Sequence, residues 1–231
     1  MTAHQRNLSA AIDPVKLDRL AEVAIKVGLQ LRAGQVHRHG GRGQGPELGS
    51  DGSNLPQAAR DLQARNPVLF DQWVRHVGLA VAGVENIEVF ERPEDKHLIL
   101  RAIFAGRHAA PVPSWLLSEG TLRIMALSLL TFAAPADEAR LFLVEDVDTG
   151  LHPLAMQSVY EALASPPAGV QVFCTTHSPV LLGHASLHDV LLFRRAEDGT
   201  AAIRHGDEDD ALRAWVEKVG MIDLFARGVL A

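Results

Sequence analysis

The sequence has few or none of several features that mark particular classes of protein. It has one cysteine, Cys174, which excludes an internal disulfide framework and any zinc site built from several cysteines. No run approaches the roughly 20 apolar residues that a membrane-spanning helix needs, and the N-terminus has no apolar stretch typical of signal peptides. Cys174 itself lies in an apolar run, so we expect a small buried side chain. We expect a cytoplasmic protein.

Size and charge set further limits. The chain has 231 residues, of which 47% are hydrophobic, so it can bury a substantial core. Its formal net charge of −6 argues against a surface that binds nucleic acid over its whole extent, although a local basic patch is compatible with it. We predict a helix and a flexible loop rich in glycine and histidine within residues 1–50, and the folded domain within residues 51–231.

Short apolar runs alternate with helical patterns in the second half of the chain. Residues 141–144 and 170–175 have the length and composition of buried strands, and residues 153–163 between them have the pattern of a helix. Buried strands that alternate with helices are typical of a parallel sheet, so we predict an α/β fold. Ligands of such folds bind beyond the carboxyl ends of the strands, and residues there are the first candidates for a site.

Other patterns predict the remaining elements. Helices are expected over residues 14–31, 55–64, 67–82, 119–132 and 207–219, strands over residues 87–91 and 97–104, and a hairpin over residues 190–194 and 201–205. His37 and His39 lie in the glycine-rich loop after the first helix, where neither a cysteine nor a carboxylate cluster supports a metal site. We therefore expect a solvated loop there.

Carboxylates follow the first buried strand directly. Glu145, Asp146 and Asp148 come after residues 141–144, and several carboxylates at the tip of an apolar strand are costly unless something neutralises them. A divalent cation and an attacking water are the usual reasons for such a group, and hard oxygen ligands suit Mg²⁺. The alternative is an acidic turn that interacts favourably with the dipole of the following helix.

Two further segments have the chemistry of a phosphate site. His177 follows the second buried strand, where it could contact a ligand and titrate near neutral pH, although a His-Ser pair also begins many helices. Residues 117–123, Leu-Ser-Glu-Gly-Thr-Leu-Arg, open a helix whose first N–H groups and hydroxyl could form an anion site. An ordinary capped helix would have the same sequence, so each segment alone leaves both interpretations open.

The order of these segments is more specific than any one of them. Together they resemble the ABC-type ATPases of the RecF and OLD (overcoming lysogenization defect) kind, often described simply as AAA-family ATP-binding proteins. Residues 117–121 are similar to the signature motif, residues 141–146 to the Walker B strand and residues 148–153 to the D-loop, and His177 is similar to the switch histidine. The resemblance implies the C-terminal part of an ABC-type ATPase head, a partial P-loop NTPase fold with a parallel sheet and a helical insertion.

The resemblance also implies roles for single residues, with ATP and Mg²⁺ as cofactors. Glu145 would hold Mg²⁺ through water, Asp146 would polarise the attacking water and also lie at the metal, and His177 would sense the γ-phosphate. Ser118 and Gly120 would contact the γ-phosphate of a nucleotide that an opposing subunit holds. The remaining nucleotide-binding candidates belong to the same signature and D-loop segments: Glu119, Thr121, Arg123 and Asp148.

The chain departs from this family where the phosphates bind. Family members begin with a strand and a G-x-x-x-x-G-K-[ST] loop that cradles the α- and β-phosphates, and no such sequence occurs in this chain. We therefore expect the chain alone to bind ATP poorly and to hydrolyse it negligibly. Asp146 is also one methylene shorter than the usual glutamate, and Val147 replaces the usual proline, so slow hydrolysis is a further expectation.

Three interpretations remain open. A partner chain could supply the phosphate-binding loop and complete a composite ATPase site. The chain could instead be a non-catalytic scaffold or regulatory subunit that lends its signature face to a second, complete ATPase, or it could be a fragment of a longer gene product. The resemblance suggests an anti-phage defence or DNA-processing complex, with a nuclease effector or DNA as further partners and no membrane partner.

Overall fold

The protein was analysed as a computed structural model, which describes residues 28–29, 47–106, 110–134, 139–195, 201–208, 210 and 213. These residues fall into two compact units, one ending at Thr175 and the other beginning at Thr176. No helix in this part of the chain is long and apolar enough to cross a membrane. The glycine-rich loop and nearly all of the N-terminal helix predicted over residues 14–31 lie outside the described residues. The domain boundary predicted after residue 50 stays a prediction.

The first unit contains four helices among its described residues, and all four were predicted to within a few residues. They are α1 (Leu55–Arg65), α2 (Pro67–Ala80), α3 (Glu119–Ala133) and α4 (Met156–Ala164), the last preceded by a 3-10 turn at Pro153–Ala155. Proline near the first position of α1 and of α2 fits the helix start, where a missing N–H costs nothing.

A parallel sheet confirms the predicted α/β class. Its order is β1-β5-β6, with β1 at Gly28–Leu29, β5 at Arg140–Val144 and β6 at Val170–Cys174. Two expectations were wrong here. Gly28 and Leu29 are not helical but pair with Leu143 and Val144 of β5, because strand pairing overrides a helical pattern in so short a segment. Cys174 is exposed, because it lies at the carboxyl end of β6.

An antiparallel sheet of order β2-β3-β4 precedes α3 in the chain. Strands β2 (Val84–Glu91) and β3 (Leu98–Phe104) form the predicted pair, and the short β4 (Val112–Pro113) joins the other side of β3. On one face the guanidinium of Arg101 lies 3.9 Å from the centre of the Phe90 ring and donates to Glu88 over 2.7 Å. A 3-10 turn at Ser114–Leu116 connects this sheet to the start of α3.

Helix α3 is the central element of the first unit. Residues 122–131 are all buried, as expected for a helix that is apolar all round, and α1, α2 and α4 pack against it. Trp73 of α2 is fully buried, and its indole N–H donates to the Met125 carbonyl over 3.2 Å and to the Ser128 hydroxyl over 3.0 Å. These contacts attach the middle of α3 to α2.

The second unit confirms the predicted hairpin. It contains α5 (Pro179–Leu182), a 3-10 turn at Leu187–Asp189, and the antiparallel pair β7 (Leu191–Arg195) and β8 (Ala201–His205). A further 3-10 turn follows at Gly206–Glu208. Most of the helix predicted over residues 207–219 lies outside the described residues.

Candidate functional site

Helix α3 begins at the predicted anion site. Ser118 caps it, because the Ser118 Oγ accepts a hydrogen bond from the main-chain N–H of Thr121 over 3.1 Å and lies 2.8 Å from the Thr121 hydroxyl. Helix geometry leaves the N–H groups of Glu119 and Gly120 without acceptors inside the helix. Ser118 is exposed, and Glu119 and Gly120 are half-buried. The helix start therefore has the donors that an anion requires.

The start of α3 contacts the turn that follows β5. We call residues 145–151 the carboxylate turn. A Cβ atom at Gly120 would lie 2.8 Å from the carbonyl oxygen of Gly150, closer than real Cβ contacts come. Gly150 has a φ of +72°, which glycine adopts without the strain that a side chain would add. Glycine at both positions therefore allows the two backbones to meet.

Thr175 holds the beginning of the carboxylate turn. Its N–H donates to the Val144 carbonyl over 2.9 Å, its hydroxyl oxygen accepts from the Asp146 N–H over 2.9 Å, and its carbonyl accepts from the Val147 N–H over 3.1 Å. Asp146 has a φ of +47°, a left-handed conformation that Asp and Asn tolerate better than most residues. The main chain of Asp146 is thus fixed although its side chain is exposed.

Arg123 is a buried cation between α3 and the carboxylate turn. Its residue surface is only 3% exposed, and its Nη2 donates to the Asp146 carbonyl over 3.3 Å. Burial lowers the pKa of the Arg123 guanidinium from its usual value, and the nearby carboxylates of Glu119, Asp148 and Asp146 oppose that shift. The guanidinium of Arg123, which we expected at a nucleotide, therefore contacts the main chain of the carboxylate turn.

The donor set at the end of β5 fits a magnesium ion that is shared with phosphates. Glu145 and Asp146 are adjacent and exposed, and Asp148 is half-buried. Mg²⁺ usually binds through one or two carboxylates together with substrate phosphates and several waters. Within the residues that the structure describes, no group of three or more His, Cys, Asp or Glu could hold a metal ion by itself. An ion here would take its remaining oxygen ligands from water or from a bound phosphate.

His177 belongs to the second unit, two residues beyond Thr175 in the chain. It is exposed, and it precedes a capped helix start. The Ser178 N–H donates to the Thr176 hydroxyl over 3.0 Å, and the Ser178 hydroxyl accepts from the Leu181 N–H over 3.3 Å. Both interpretations of the His-Ser pair are compatible with this geometry, so the sensor role of His177 stays a prediction.

The structure brings together most of the predicted residues of the first unit and adds two that the sequence analysis missed. The signature segment and the carboxylate turn meet through Gly120 and Arg123. Thr175 and Gly150 were not predicted as site residues. The Thr175 hydroxyl accepts a hydrogen bond from the Asp146 N–H, and the Gly150 carbonyl packs against Gly120. The pairing of Val144 with Cys174 places Thr175 one step further along, so aligning the two predicted strands in register would have indicated its position.

Solved structures of SMC heads are similar to the chain at low identity. An SMC ATPase studied for ATP-driven dimerization and DNA-stimulated activation is 17% identical with a TM-score of 0.44, over 69% of this chain and 96% of that chain. The Smc head domain of Pyrococcus furiosus, bound to the C-terminal domain of ScpA, is 14% identical with a TM-score of 0.44, over 73% and 42%. The Smc head domain of Pyrococcus yayanosii is 16% identical with a TM-score of 0.42, over 72% and 32%.

A family model gives the stronger comparison. None of the curated proteins matches the sequence. The model described as "AAA domain, putative AbiEii toxin, Type IV TA system" matches residues 48–183, which are more than half of the chain. The matched segment includes α3, the carboxylate turn, Thr175 and His177. The chain belongs to this family of AAA domains.

Proposed function

We propose that this chain is the signature-bearing and Walker B-bearing part of an ABC-type ATPase head of the RecF and OLD kind, and that a partner chain with a phosphate-binding loop completes its ATP site. The observation that carries the proposal is the contact between the start of α3 and the carboxylate turn, through Gly120 with Gly150 and Arg123 with Asp146. This contact joins an anion site to a group of exposed carboxylates. The sequence contains no G-x-x-x-x-G-K-[ST] loop that would hold the remaining phosphates.

Each of the chain's residues has a defined task in this proposal. The N–H groups of Glu119 and Gly120, together with the hydroxyls of Ser118 and Thr121, bind the γ-phosphate of a nucleotide that the partner holds. Glu145 and Asp146 would hold Mg²⁺ together with ATP, and the ion would supply positive charge against the charge that develops on the phosphates.

The remaining residues act on the attacking water and the leaving phosphate. The carboxylate of Asp146 accepts a hydrogen bond from the water and orients it for attack on the γ-phosphorus. His177 donates a hydrogen bond to the γ-phosphate, and Asp148 lies in the turn that faces the nucleotide. The water oxygen bonds to the γ-phosphorus as the bond between that phosphorus and the bridging oxygen breaks, and a proton of the water passes to the Asp146 carboxylate, so ADP and phosphate are formed.

A second candidate function has its own supporting observation. Asp146 is short and stands at a φ of +47°, and the neighbouring Val147 is fully buried where the related ATPases have proline. The shorter carboxylate and the valine both differ from the residues that are usual in those enzymes. In this second proposal the chain is a scaffold or regulatory subunit, and its signature face serves the phosphate-binding loop of a complete ATPase without hydrolysing ATP at its own carboxylates.

The biological setting belongs to the same proposal. The family that matches the chain is described by the name of a toxin of a type IV toxin–antitoxin system. The resemblance to ATPases of the RecF and OLD kind, which often stand beside nucleases in anti-phage systems, suggests a similar setting. We place the composite ATPase in a defence or DNA-processing complex on these grounds. A nuclease effector and DNA are its expected further partners.

Reconstitution with candidate partners tests the proposal. The chain is purified alone and together with each neighbouring gene product that carries G-x-x-x-x-G-K-[ST], and ATP binding and phosphate release are measured with Mg²⁺. Turnover is expected only in the mixture with one partner, and it should be lost when the chain carries Asp146→Asn. The matched control is Asp71→Asn, which removes an exposed carboxylate of α2 far along the chain from the site.

The outcomes separate the two candidate functions. Tight ATP binding by the chain alone would contradict the requirement for a partner's loop. A stable complex that hydrolyses ATP equally well with Asp146→Asn and with Glu145→Gln would support the scaffold, because the catalytic carboxylate would then belong to the partner.

A further inference from the structure

The environment of the Arg123 side chain differs from the one that its position in the sequence indicates. Arg123 lies in the second turn of α3, close behind the anion site, where an arginine would ordinarily be expected to reach for a phosphate. Only 3% of its residue surface is exposed. A side chain so deeply buried offers almost no surface to a nucleotide held by another chain.

The guanidinium of Arg123 instead stabilises the carboxylate turn. Its Nη2 donates to the Asp146 carbonyl over 3.3 Å, and the same carbonyl accepts from the Thr149 N–H over 3.0 Å. The Leu151 N–H donates to the Asp148 carbonyl over 3.1 Å, which closes the second half of the turn. A charged donor on the Asp146 carbonyl therefore supports the peptide group that carries the Asp146 side chain.

The apolar stem of Arg123 makes a second contact with the same turn. A Cβ atom at Gly150 would lie 3.5 Å from the Arg123 Cδ, an ordinary van der Waals distance, so the stem passes beside Gly150. Gly120, one turn earlier in α3, meets the Gly150 carbonyl. The helix thus touches the carboxylate turn at both ends, at Asp146 through Arg123 and at Gly150 through Gly120.

Charge favours the same arrangement. The carboxylates of Glu119, Asp148 and Asp146 are the groups that stabilise the charged guanidinium against its burial. Glu119 belongs to the anion site at the start of α3, whereas the other two belong to the carboxylate turn. Arg123 is therefore electrostatically tied to both parts of the site at once.

We propose that Arg123 is a positioning residue, which couples the start of α3 to the carboxylate turn so that the anion site and the Asp146 carboxylate move as one body. The functional consequence of this coupling rests on the proposed ATPase function: a γ-phosphate bound at Ser118 and Gly120 holds the Asp146 carboxylate in position to orient the attacking water. Arg123 itself does not contact the nucleotide.

The first test uses the chain alone and needs no partner. Exchange of main-chain amide hydrogens is followed by NMR at Val147, Thr149 and Leu151, with core amides of α3 as the internal reference. Arg123→Met should speed exchange at the carboxylate turn by about tenfold or more relative to that reference, because a charged hydrogen bond to the Asp146 carbonyl is lost. Arg123→Lys, which keeps the charge and a donor, should give an intermediate increase.

A matched control uses another arginine. Arg65 also donates from a guanidinium to a main-chain carbonyl, that of Ala133 over 3.1 Å, but at an exposed position. Arg65→Met should leave exchange at the carboxylate turn unchanged. If Arg123→Met does not fold, the Arg123→Lys variant tests the proposal by itself. Amide exchange at the carboxylate turn at the wild-type rate in that variant would overturn the coupling.

The second test uses the reconstituted ATPase. Arg123→Lys and Arg123→Met should lower kcat on the order of 10-fold to 100-fold, as expected when a catalytic group is misplaced by up to about 1 Å, with KM for ATP changed less than about twofold. A raised KM with unchanged kcat would overturn the inference, because it would make Arg123 a nucleotide ligand. If no partner gives turnover, the proposed function fails, and the amide exchange still decides whether Arg123 holds the turn.

Discussion

The main-chain N–H of Asp146 donates to the hydroxyl oxygen of Thr175 over 2.9 Å, and this bond joins the carboxylate turn to the end of the neighbouring strand. Asp146 projects an exposed side chain from a main chain that hydrogen bonds hold on both sides, to Thr175 at its N–H and to Thr149 and Arg123 at its carbonyl. These main-chain contacts therefore fix the position from which the proposed catalytic side chain projects.

Removing the Thr175 hydroxyl should impair catalysis more than it impairs folding. Thr175→Val keeps the shape of the side chain but leaves the Asp146 N–H without this acceptor, at a cost of about 1 kcal/mol or less because the site is exposed. We expect turnover of the reconstituted ATPase to fall on the order of tenfold or more. Thr175→Ser keeps the hydroxyl and should restore most of the rate. Equal rates for the valine and serine variants would contradict this role of the hydroxyl.

Gly120 should tolerate no side chain. A methyl group there would lie 2.8 Å from the Gly150 carbonyl oxygen, a backbone atom that cannot rotate away, so Gly120→Ala should destabilise the fold by about 1–3 kcal/mol. It should also abolish turnover, because the anion site and the carboxylate turn would be pushed apart. Urea unfolding and phosphate release measure the two effects.

Gly206 provides the control for that prediction. Its added Cβ would lie 2.8 Å from the Leu187 carbonyl oxygen, the same kind of clash but in the second unit. Gly206→Ala should lower the free energy of unfolding to a similar extent and leave more of the turnover intact. Equal loss of turnover in both variants would attribute the effect of Gly120→Ala to stability alone.

His76 should make the fold sensitive to acid. Its ring lies 5.6 Å from the Phe132 ring, and burial lowers the pKa of His76 below its ordinary 6.5, against the opposing effects of the Ser158 main chain and the Glu161 carboxylate. The unfolded chain therefore binds this proton at a higher pH than the folded chain does. The contribution of the neutral His76 to the free energy of unfolding should be complete above about pH 6.5. It should be lost progressively as the pH drops from there towards the lower pKa of the folded state.

A difference measurement isolates that histidine. His76→Phe removes the titration and keeps a ring against Phe132. The melting temperature of the variant minus that of wild type should be larger at pH 5.5 than at pH 7.5. These two values lie about one unit on either side of the ordinary histidine pKa. A constant difference across that range would show that His76 does not contribute to the acid sensitivity.

The sequence predicted the elements of the site better than their contacts. The apolar runs gave α3 and the strands β5 and β6 nearly to the residue, because the length and composition of a run distinguish a helix from a buried strand. The sequence pattern could not predict the contacts of Arg123, because an arginine in a helix near an anion site can either bind the ligand or be buried against a neighbouring segment. Burial and the partner of its guanidinium depend on the packing of two distant segments, which no local pattern encodes.

The same limit explains the other differences. Gly28 and Leu29 follow a helical pattern in the sequence, but pairing with Leu143 and Val144 makes them a strand. Cys174 lies in an apolar run, yet its position at the carboxyl end of β6 exposes it. In each case the missing information was which neighbour the residue meets in the folded chain.

Asp146→Asn is the sharpest change that the structure offers at the proposed catalytic position. Asparagine tolerates a φ of +47° as well as aspartate does and has nearly the same shape, so the carboxylate turn should keep its conformation. The melting temperature should therefore stay within about 2 °C of wild type, while turnover falls at least on the order of 10²-fold because the amide cannot act as a base toward water. Asp146→Ala lacks the short polar side chain that favours this backbone conformation and should lower both quantities. If Asp146→Asn retained full turnover, the carboxylate that orients the water would have to come from Glu145 or from the partner, and Glu145→Gln in the same complex would decide between them.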